Sequence, residues 1–540
     1  MNALSVYTLP VLLLMLVAAG LLGLGLGTTD YRLMLAGVLL PAGIMVVVRT
    51  ELAVTALLGA SFLVAGLVQL YLPQYQQISW LIAGMGGVVA GMVWLQGMLA
   101  QTNSQSSPSD LEWLMWAFAG YCLIISIANG LNLFELGYGA KGYFQMWGLF
   151  FAMAWLSPVS GFGSGFMRRL PQTLMGLAFL QLPFALQQYL FFVPLRAQLG
   201  GQVVAEDVVV GTFGASLEGG GANSILSMFT VMAAAMLLVL FLRGRLALIW
   251  LLLGSALLLA PAFVNASVIT VFYLAVALGL LIFMSGRGSA GRNLLAGVLV
   301  CFLIGGVIWG NAQYASRAAS YDGVGEFVVG AIERNIDEEH GYGEYVLNRM
   351  TVLPFWWQEQ GKLENLRMWT GFGVGQAREA ENSALVSKTL ANTRYAGQGI
   401  GFTSMAGLLW ETGVLGTLLM LLIFVRAFFL SNRIVGYFNS SSVGEEQQAS
   451  IFNPQQASIF DPQQASIFDP QQAAIFDPQQ AAWQLALAQA VRIGLVLAVL
   501  NLLHKNLLLF HLPYQALCMV LLGYVAYWTR QIQQQRASAH

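Results

Sequence analysis

About fourteen apolar runs, each close to 20 residues long, make up most of this chain. A run of that length crosses the hydrocarbon core of a bilayer, about 30 Å thick, as an α-helix. A helix is required because lipid offers no hydrogen-bond partner to an exposed backbone. Charged residues are only 9% of the 540, whereas a soluble protein carries about a quarter. We therefore predict an all-α polytopic membrane protein with about 12–14 transmembrane helices.

The predicted spans divide the chain into a bundle, a large loop and three later helices. A bundle of about 11 spans occupies 1–310, and its first run is expected to be a retained span rather than a signal peptide. The predicted spans lie near 6–27, 31–48, 51–71, 78–100, 111–130, 141–157, 171–193, 223–242, 245–262, 265–285, 293–310, 403–430, 486–503 and 507–528. Between them lie a smaller loop, 194–222, the large loop, 311–402, a connection, 431–485, and a tail, 529–540.

Lysine and arginine residues near the span ends indicate the orientation, because cytoplasmic loops carry an excess of them. With a cytoplasmic N-terminus, the inside loops and tail hold Arg49, Arg168, Arg169, Arg243, Arg245, Arg287, Arg292, Arg426, Arg433, Arg530 and Arg536. The short outside loops hold only Arg32, Lys141, Arg196 and Lys505. This pattern predicts cytoplasmic termini and places both 194–222 and 311–402 outside the cytoplasm.

The large loop 311–402 is a polar island in an apolar chain. It holds 8 of the 24 Lys and Arg residues and 11 of the 25 Asp and Glu residues. So much charge beside a membrane is typical of a segment that binds a substrate at the surface. The chain has no basic patch that would bind nucleic acid, and its scattered cysteines and histidines have no metal-ligand spacing. We therefore expect neither a nucleic-acid partner nor a metal or other cofactor.

Arginines, tryptophans and glycines cluster in this loop. The candidate binding residues are Arg349, Trp356, Trp357, Arg367, Gly371, Gly373, Gly375 and Arg378. Guanidinium groups present paired donors to phosphate oxygens, glycines let backbone N–H groups approach an anion, and tryptophan rings stack on sugars. The cluster predicts a phosphate-bearing, lipid-linked substrate. The alternative is a structural cap or lid, with the tryptophans as interface anchors.

Two motifs give a family resemblance over roughly 170–430. The later motif runs through Arg349, Trp356, the glycine run 371–375, Glu411, Gly413 and Gly416; the earlier one reads Gly211-Thr-Phe213-Gly, followed by Asn223. Together they resemble the O-antigen ligase and polymerase superfamily, whose members combine many transmembrane helices with one large periplasmic loop.

The resemblance implies a metal-independent glycosyltransferase in the bacterial inner membrane, acting as a ligase or a polymerase. Such an enzyme transfers a glycan from undecaprenyl pyrophosphate to a hydroxyl of a glycan or lipid acceptor at the periplasmic face. Arg349 corresponds to the pyrophosphate-binding arginine of the large loop. Arg196, the one basic residue of the smaller loop, is the candidate for the second arginine.

The sequence departs from the family pattern at one position. The family places a His-Asn pair shortly before the Glu-x-Gly helix, and this chain has Thr403-Ser404 there. The general base is therefore predicted among His340, Glu344, Glu359 and Glu381. Glu411 is a further candidate catalytic residue, although the helix dipole alone also favours a carboxylate in a first turn.

Two other functions stay open at this level. A flippase of lipid-linked oligosaccharides or a solute transporter, for example of bicarbonate, has a similar number of spans. Transporters place polar residues at mid-membrane in two related halves, whereas this chain concentrates its polar residues outside, which favours transfer chemistry. The third possibility is a non-catalytic component of polysaccharide assembly.

An octapeptide repeat fills 449–480 with the units ASIFNPQQ, ASIFDPQQ, ASIFDPQQ and AAIFDPQQ. Near-identical copies indicate recent duplication at a tolerant site, so a flexible cytoplasmic linker is expected. The alternative is a docking array for a cytoplasmic partner, with its Ile-Phe pairs as anchors.

Overall fold

The computed structural model describes most of the chain. The described residues are 16–25, 50–99, 108–156, 162–199, 205–217, 222–265, 269–284, 346–361, 365–379, 388–451 and 478–538, with a few positions between 27 and 37 and between 297 and 306. His340, Glu344 and Glu381, which are candidate bases, lie outside them, as do residues 452–477 of the octapeptide array.

Within the described residues, the regular secondary structure is entirely helical. In chain order the helices are α1 Leu16–Gly25, α2 Thr50–Tyr71, α3 Ile78–Leu99, α4 Asp110–Ala128, α5 Leu133–Phe144, α6 Trp147–Trp155, α7 Phe162–Leu199, α8 Asn223–Leu242, α9 Leu248–Val264, α10 Ile269–Met284, α11 Val352–Gln360, α12 Asn365–Thr370, α13 Ser404–Ile451, α14 Pro478–His504 and α15 Leu512–Ser538.

Seven of these helices are long and apolar enough to cross a membrane: α2, α3, α4, α7, α8, α13 and α14. The prediction of an all-α, membrane-embedded protein is thus confirmed in its coarse form. The count of about 12–14 spans is not reached within the described residues. Helices α9 and α10, at 17 and 16 residues, are apolar but shorter, and the predicted spans 31–48 and 293–310 lie largely outside the described residues.

The predicted span 141–157 is not one continuous helix, because the helix breaks near its start. Helix α5 ends at Phe144, and α6 begins at Trp147 and has only nine residues. Close packing fixes α6 against α3, since a Cβ on Gly148 would lie 2.2 Å from the carbonyl oxygen of Gly86. Neither piece is long enough to span a bilayer, and α5 instead packs against the loop that follows α12.

Helices α8, α14 and α15 form the centre of the bundle. Almost every side chain of α8 is buried, from Asn223 to Leu240, and α14 and α15 are buried nearly as fully. Helix α7 continues to Leu199, past the predicted end of its span at 193, with three internal prolines. Helix α13 likewise continues to Ile451, well beyond the predicted end at 430.

Basic residues sort to the two ends of the bundle. At one end, Arg530 donates to the buried Glu112 at 2.9 and 3.1 Å and to the Ala154 carbonyl at 3.0 Å, and Arg426 pairs with Asp110. The opposite helix ends carry Arg196, Arg349 and Lys505. This is the grouping on which the predicted orientation rests, and the assignment of each end to a side of the membrane stays a prediction.

Candidate functional site

A hydrogen-bonded chain links three distant segments at the second end of the bundle. The Lys505 Nζ, in the turn between α14 and α15, donates to the Asn223 Oδ1 at 2.8 Å. Asn223 is the first residue of α8, and its Nδ2 donates to the Asp207 Oδ1 at 2.8 Å. Asp207 and Asn223 are both buried. These two hydrogen bonds therefore fix the ammonium group of Lys505 at the N-terminus of the central helix α8.

Arg349 joins this site from the large loop. Its Nε donates to the His504 carbonyl at 2.9 Å, and its guanidinium lies 5.7 Å from the centre of the Phe402 ring. The turn that carries it is ordered by Asn348, whose Oδ1 accepts from the N–H groups of Met350 and Thr351 at 2.9 and 3.0 Å. Such an Asx turn is a standard way to begin a helix, and here it fixes Arg349 just before α11.

Arg196 completes a group of three cations. It lies in the last turn of α7 and is 5% exposed. Burial lowers the pKa of Lys505; the Asp207 carboxylate opposes this shift, and the charges of Arg349 and Arg196 add to it. Burial likewise raises the pKa of Glu206, against the opposing charge of Arg196. The structure thus brings both predicted arginines to one place, beside a lysine.

The segment Thr403-Ser404, where the family pattern has His-Asn, attaches the turn between α14 and α15. The Ser404 N–H and hydroxyl both donate to the Lys505 carbonyl, at 3.2 and 3.0 Å. The Leu508 N–H donates to the Ser404 Oγ at 3.1 Å, and the Asn506 Nδ2 donates to the Gly401 carbonyl at 2.6 Å. The large loop and the α14–α15 turn therefore form one surface.

The glycine run 371–375 is buried, and its N–H groups donate within the fold. The N–H groups of Gly375 and Ala377 donate to the two carboxylate oxygens of Glu411, at 2.8 and 2.9 Å. The Gly373 N–H donates to the Glu411 carbonyl at 2.8 Å, and the Val374 N–H to the Ser126 Oγ at 3.1 Å. We expected these groups to face an anion, and their engagement by the protein itself corrects that expectation.

Glu411 is fully buried in α13 and acts as an anchor for this loop. The helix is interrupted two residues later, at Gly413, whose φ of 64° suits glycine. A Cβ at Gly413 would lie 2.4 Å from the Trp369 carbonyl, and one at Gly371 would lie 2.4 Å from the Glu411 carbonyl. The contacts of Glu411 give it a structural role, and the geometry offers no support for a catalytic one.

The other predicted residues of the loop serve mainly in packing. Trp356 is buried in an apolar cluster with Phe372 and Trp410, whereas Trp357 is 64% exposed. Arg367 lies over the Phe372 ring at 4.8 Å.

One candidate base, Glu359, is described, and it is already engaged. It accepts the Tyr395 hydroxyl at 2.8 Å and lies 3.8 Å from Arg394. This arrangement favours a structural role for its carboxylate.

Sequence reasoning missed Lys505 as a site residue. The sequence feature that could have identified it is its place as a single basic residue in a short turn between two apolar runs. A charge without a partner is unfavourable at such a place. Asp207 gave no comparable signal, because its link to Lys505 runs through Asn223. No protein-family model matches this chain, and no curated protein matches it.

Proposed function

We propose that the protein transfers a glycan from an undecaprenyl-pyrophosphate carrier to an acceptor hydroxyl at the periplasmic face of the bacterial inner membrane, as a surface-polysaccharide ligase or polymerase. The observation that supports this most is the convergence of Arg196, Arg349 and Lys505 at one end of the bundle. The motif order of the large loop and its similarity to the O-antigen ligase and polymerase superfamily point in the same direction.

A pyrophosphate fits this group of cations by charge and by shape. Burial is the main cause of the lowered pKa of Lys505, and the charges of Arg349 and Arg196 lower it further. An anion between the three cations relieves that repulsion. The planar fork of a guanidinium matches phosphate oxygens, and an ammonium adds a point charge. The N-terminus of α8, where Asn223 holds Lys505, further favours negative charge.

The same arrangement suits the chemistry of transfer. The acceptor oxygen attacks the anomeric carbon of the glycan and forms the new C–O bond, while the C–O bond to pyrophosphate breaks and the electron pair leaves with the phosphate oxygen. Cations positioned on that oxygen stabilise the charge as it develops. The hydroxyl proton passes to a base, which we assign to the remaining candidates, His340, Glu344 and Glu381. Neither Glu359 nor Glu411 is included, because both are engaged within the fold.

Loss of the whole protein tests the function against a flippase. In a deletion strain of the source bacterium, we expect lipid-linked glycan to accumulate on the outer leaflet, because its synthesis and flipping continue and its consumption stops. Labelling of surface-exposed carrier-linked glycan in spheroplasts measures this. Accumulation confined to the inner leaflet would instead identify a flippase, and an unchanged glycan pool would exclude both functions.

Lys505→Gln provides a second test through pH. An anion bound between the three cations favours the charged ammonium, so binding raises the lowered pKa of Lys505. Affinity for farnesyl pyrophosphate, a short-chain probe, is therefore highest below the pKa of the unliganded protein and falls as pH rises through it. We expect this fall in the parent protein and a flatter profile in Lys505→Gln.

The Lys388→Gln variant is the matched control for Lys505→Gln. It removes a charge from an exposed side chain of the large loop and should retain the parent profile. Identical pH profiles for the parent and Lys505→Gln would remove Lys505 from the site.

A further inference from the structure

A pair of cations, separate from the three of the proposed pyrophosphate site, lies where α5 meets the loop that follows the glycine run. The Lys141 Nζ, in the last turn of α5, lies 5.0 Å from the centre of the Trp80 ring. The Arg378 guanidinium lies 5.1 Å from the Tyr138 ring and 4.4 Å from the Phe510 ring. Within the described residues, the side chains of Lys141 and Arg378 form no hydrogen bond and no ion pair, and the one bond to Arg378 is that of the Thr389 hydroxyl to its carbonyl, at 3.1 Å.

Aromatic rings leave the donors of this pair available. A guanidinium with rings against its faces keeps its N–H groups directed outward in its own plane, where they match a phosphate or carboxylate. Burial lowers the pKa of Lys141 to about 8, and the positive charge of Arg378 adds to this effect. The two cations therefore repel each other in a partly desolvated place, and a bound anion would relieve the repulsion.

Close packing holds the surroundings of this pair in place. A Cβ on Gly139 would lie 2.4 Å from the Val374 carbonyl, and one on Gly142 would lie 2.7 Å from the Leu509 carbonyl. Helix α5 is thus in direct contact with both the glycine run 371–375 and the α14–α15 turn. Trp80 and Phe134 beside them are 49% and 65% exposed, which suits a site at the edge of the bundle, within reach of lipid.

We propose that Lys141 and Arg378 form a second anion-binding site, which takes a phosphate monoester carried by the glycan or lipid acceptor. The α14–α15 turn joins it to the first site, since Lys505 belongs to the pyrophosphate site and Phe510 covers Arg378. Lys505 and Phe510 are five residues apart, a stretch that spans at most about 17 Å. The same short turn therefore borders both the site for the donor anion and the site for the acceptor anion. The assignment to the acceptor rests on the proposed transferase function, whereas the binding site itself does not.

Direct binding to the purified full-length protein tests the site, with two arms that distinguish the source of the phosphate. One arm titrates glucose 6-phosphate into nanodiscs of phosphatidylcholine, with glucose as the neutral comparison. The other arm places the protein in nanodiscs that contain phosphatidate and measures how much phosphatidate the protein retains. We expect binding in at least one arm, weakened about tenfold by Lys141→Gln and by Arg378→Gln, each of which removes a charge-assisted hydrogen bond. Lys388→Gln, on the same loop, is the matched control and should bind as the parent does.

A pH series adds a readout that a purely structural lysine would not change. The charged group that acts on Lys141 is Arg378, and the charge of Arg378 also acts on the buried carboxyl group of Glu411. Because the amine loses its charge as pH rises through about 8, binding should weaken between about pH 7 and 9 in the parent. In Lys141→Gln this dependence should be absent, and Lys141→Arg, which keeps the charge, should retain binding across the range.

The results separate this proposal from the proposed function. The Arg349→Gln variant disables the first site, so monoester binding that persists in it belongs to the second site. Absence of binding in both arms, or equal binding by the parent, Lys141→Gln and Arg378→Gln, would overturn the proposal and leave the transferase function intact. Binding that depends on Lys141 and Arg378 in a protein with no transferase activity would keep the site and refute its acceptor role.

Discussion

Arg349→Gln is expected to abolish glycan transfer while leaving the amount of protein in the membrane unchanged. The substitution removes the guanidinium that the Asn348 turn presents beside Lys505, and with it the donors that we propose for the leaving pyrophosphate. Loss of one such donor in an active site costs about 100-fold to 1000-fold in rate. The rate is measured as consumption of lipid-linked glycan by the purified protein or by membranes from a complemented deletion strain.

Two further variants sharpen this test. Arg349→Lys keeps the charge but not the paired donors, so its rate should fall between those of the parent and Arg349→Gln. Arg394→Gln removes a 3.8 Å pair with Glu359 and a 5.3 Å contact with the Tyr395 ring, both made by a half-exposed side chain. Surface pairs contribute little, so its rate should stay near that of the parent. An Arg349→Gln protein that is stable and fully active would refute the proposed function of this site.

Glu411→Ala is expected to destabilise the protein strongly. The side chain is fully buried and accepts the N–H groups of Gly375 and Ala377. Each buried N–H left without a partner costs about 1–3 kcal/mol, so the two together cost about 2–6 kcal/mol. We expect a lower melting temperature in detergent and faster proteolysis within 346–403. Glu411→Gln, which keeps one acceptor oxygen, should lose less stability than Glu411→Ala.

Stability and activity together separate an anchor from a catalytic residue. If Glu411 anchors the loop, Glu411→Gln loses activity only in proportion to the folded fraction, and activity recovers at lower temperature. A Glu411→Gln protein with the melting temperature of the parent and a rate about 100-fold lower would show that Glu411 acts in catalysis, in contradiction to its proposed structural role.

The helical, membrane-embedded character of the chain could be predicted from the sequence, because apolar runs of 20 residues have few alternatives. The break between α5 and α6 could not. Gln145 and Met146 carry no proline or glycine signal, and hydropathy does not record that α6 is held by contact between Gly148 and Gly86. Helix ends also differ from the predicted ones, as the extension of α13 to Ile451 illustrates.

The candidate site was predicted in part. Arg349 followed from the motif order and Arg196 from its place as the one basic residue of the smaller loop. The structure places both near Lys505. The glycine run was misinterpreted because a sequence does not distinguish two kinds of glycine run. The N–H groups of one kind bind an external anion, and those of the other bind a buried carboxylate of the protein itself. Glu411, which satisfies those groups, lies 36 residues after Gly375. Only tertiary structure distinguishes a loop that binds an external anion from one that binds its own glutamate.

The position of Lys505 between α14 and α15 has a consequence for the timing of activity during synthesis. A nascent chain that has inserted its helices as far as α13 already carries Arg196 and Arg349, yet it lacks the lysine and the turn that Ser404 holds. The ribosome must then translate the octapeptide array, α14 and the turn after it before Lys505 is present. If the proposed function holds, a partly synthesised protein has an incomplete donor site and leaves the pool of carrier-linked glycan untouched until α14 and α15 are in place.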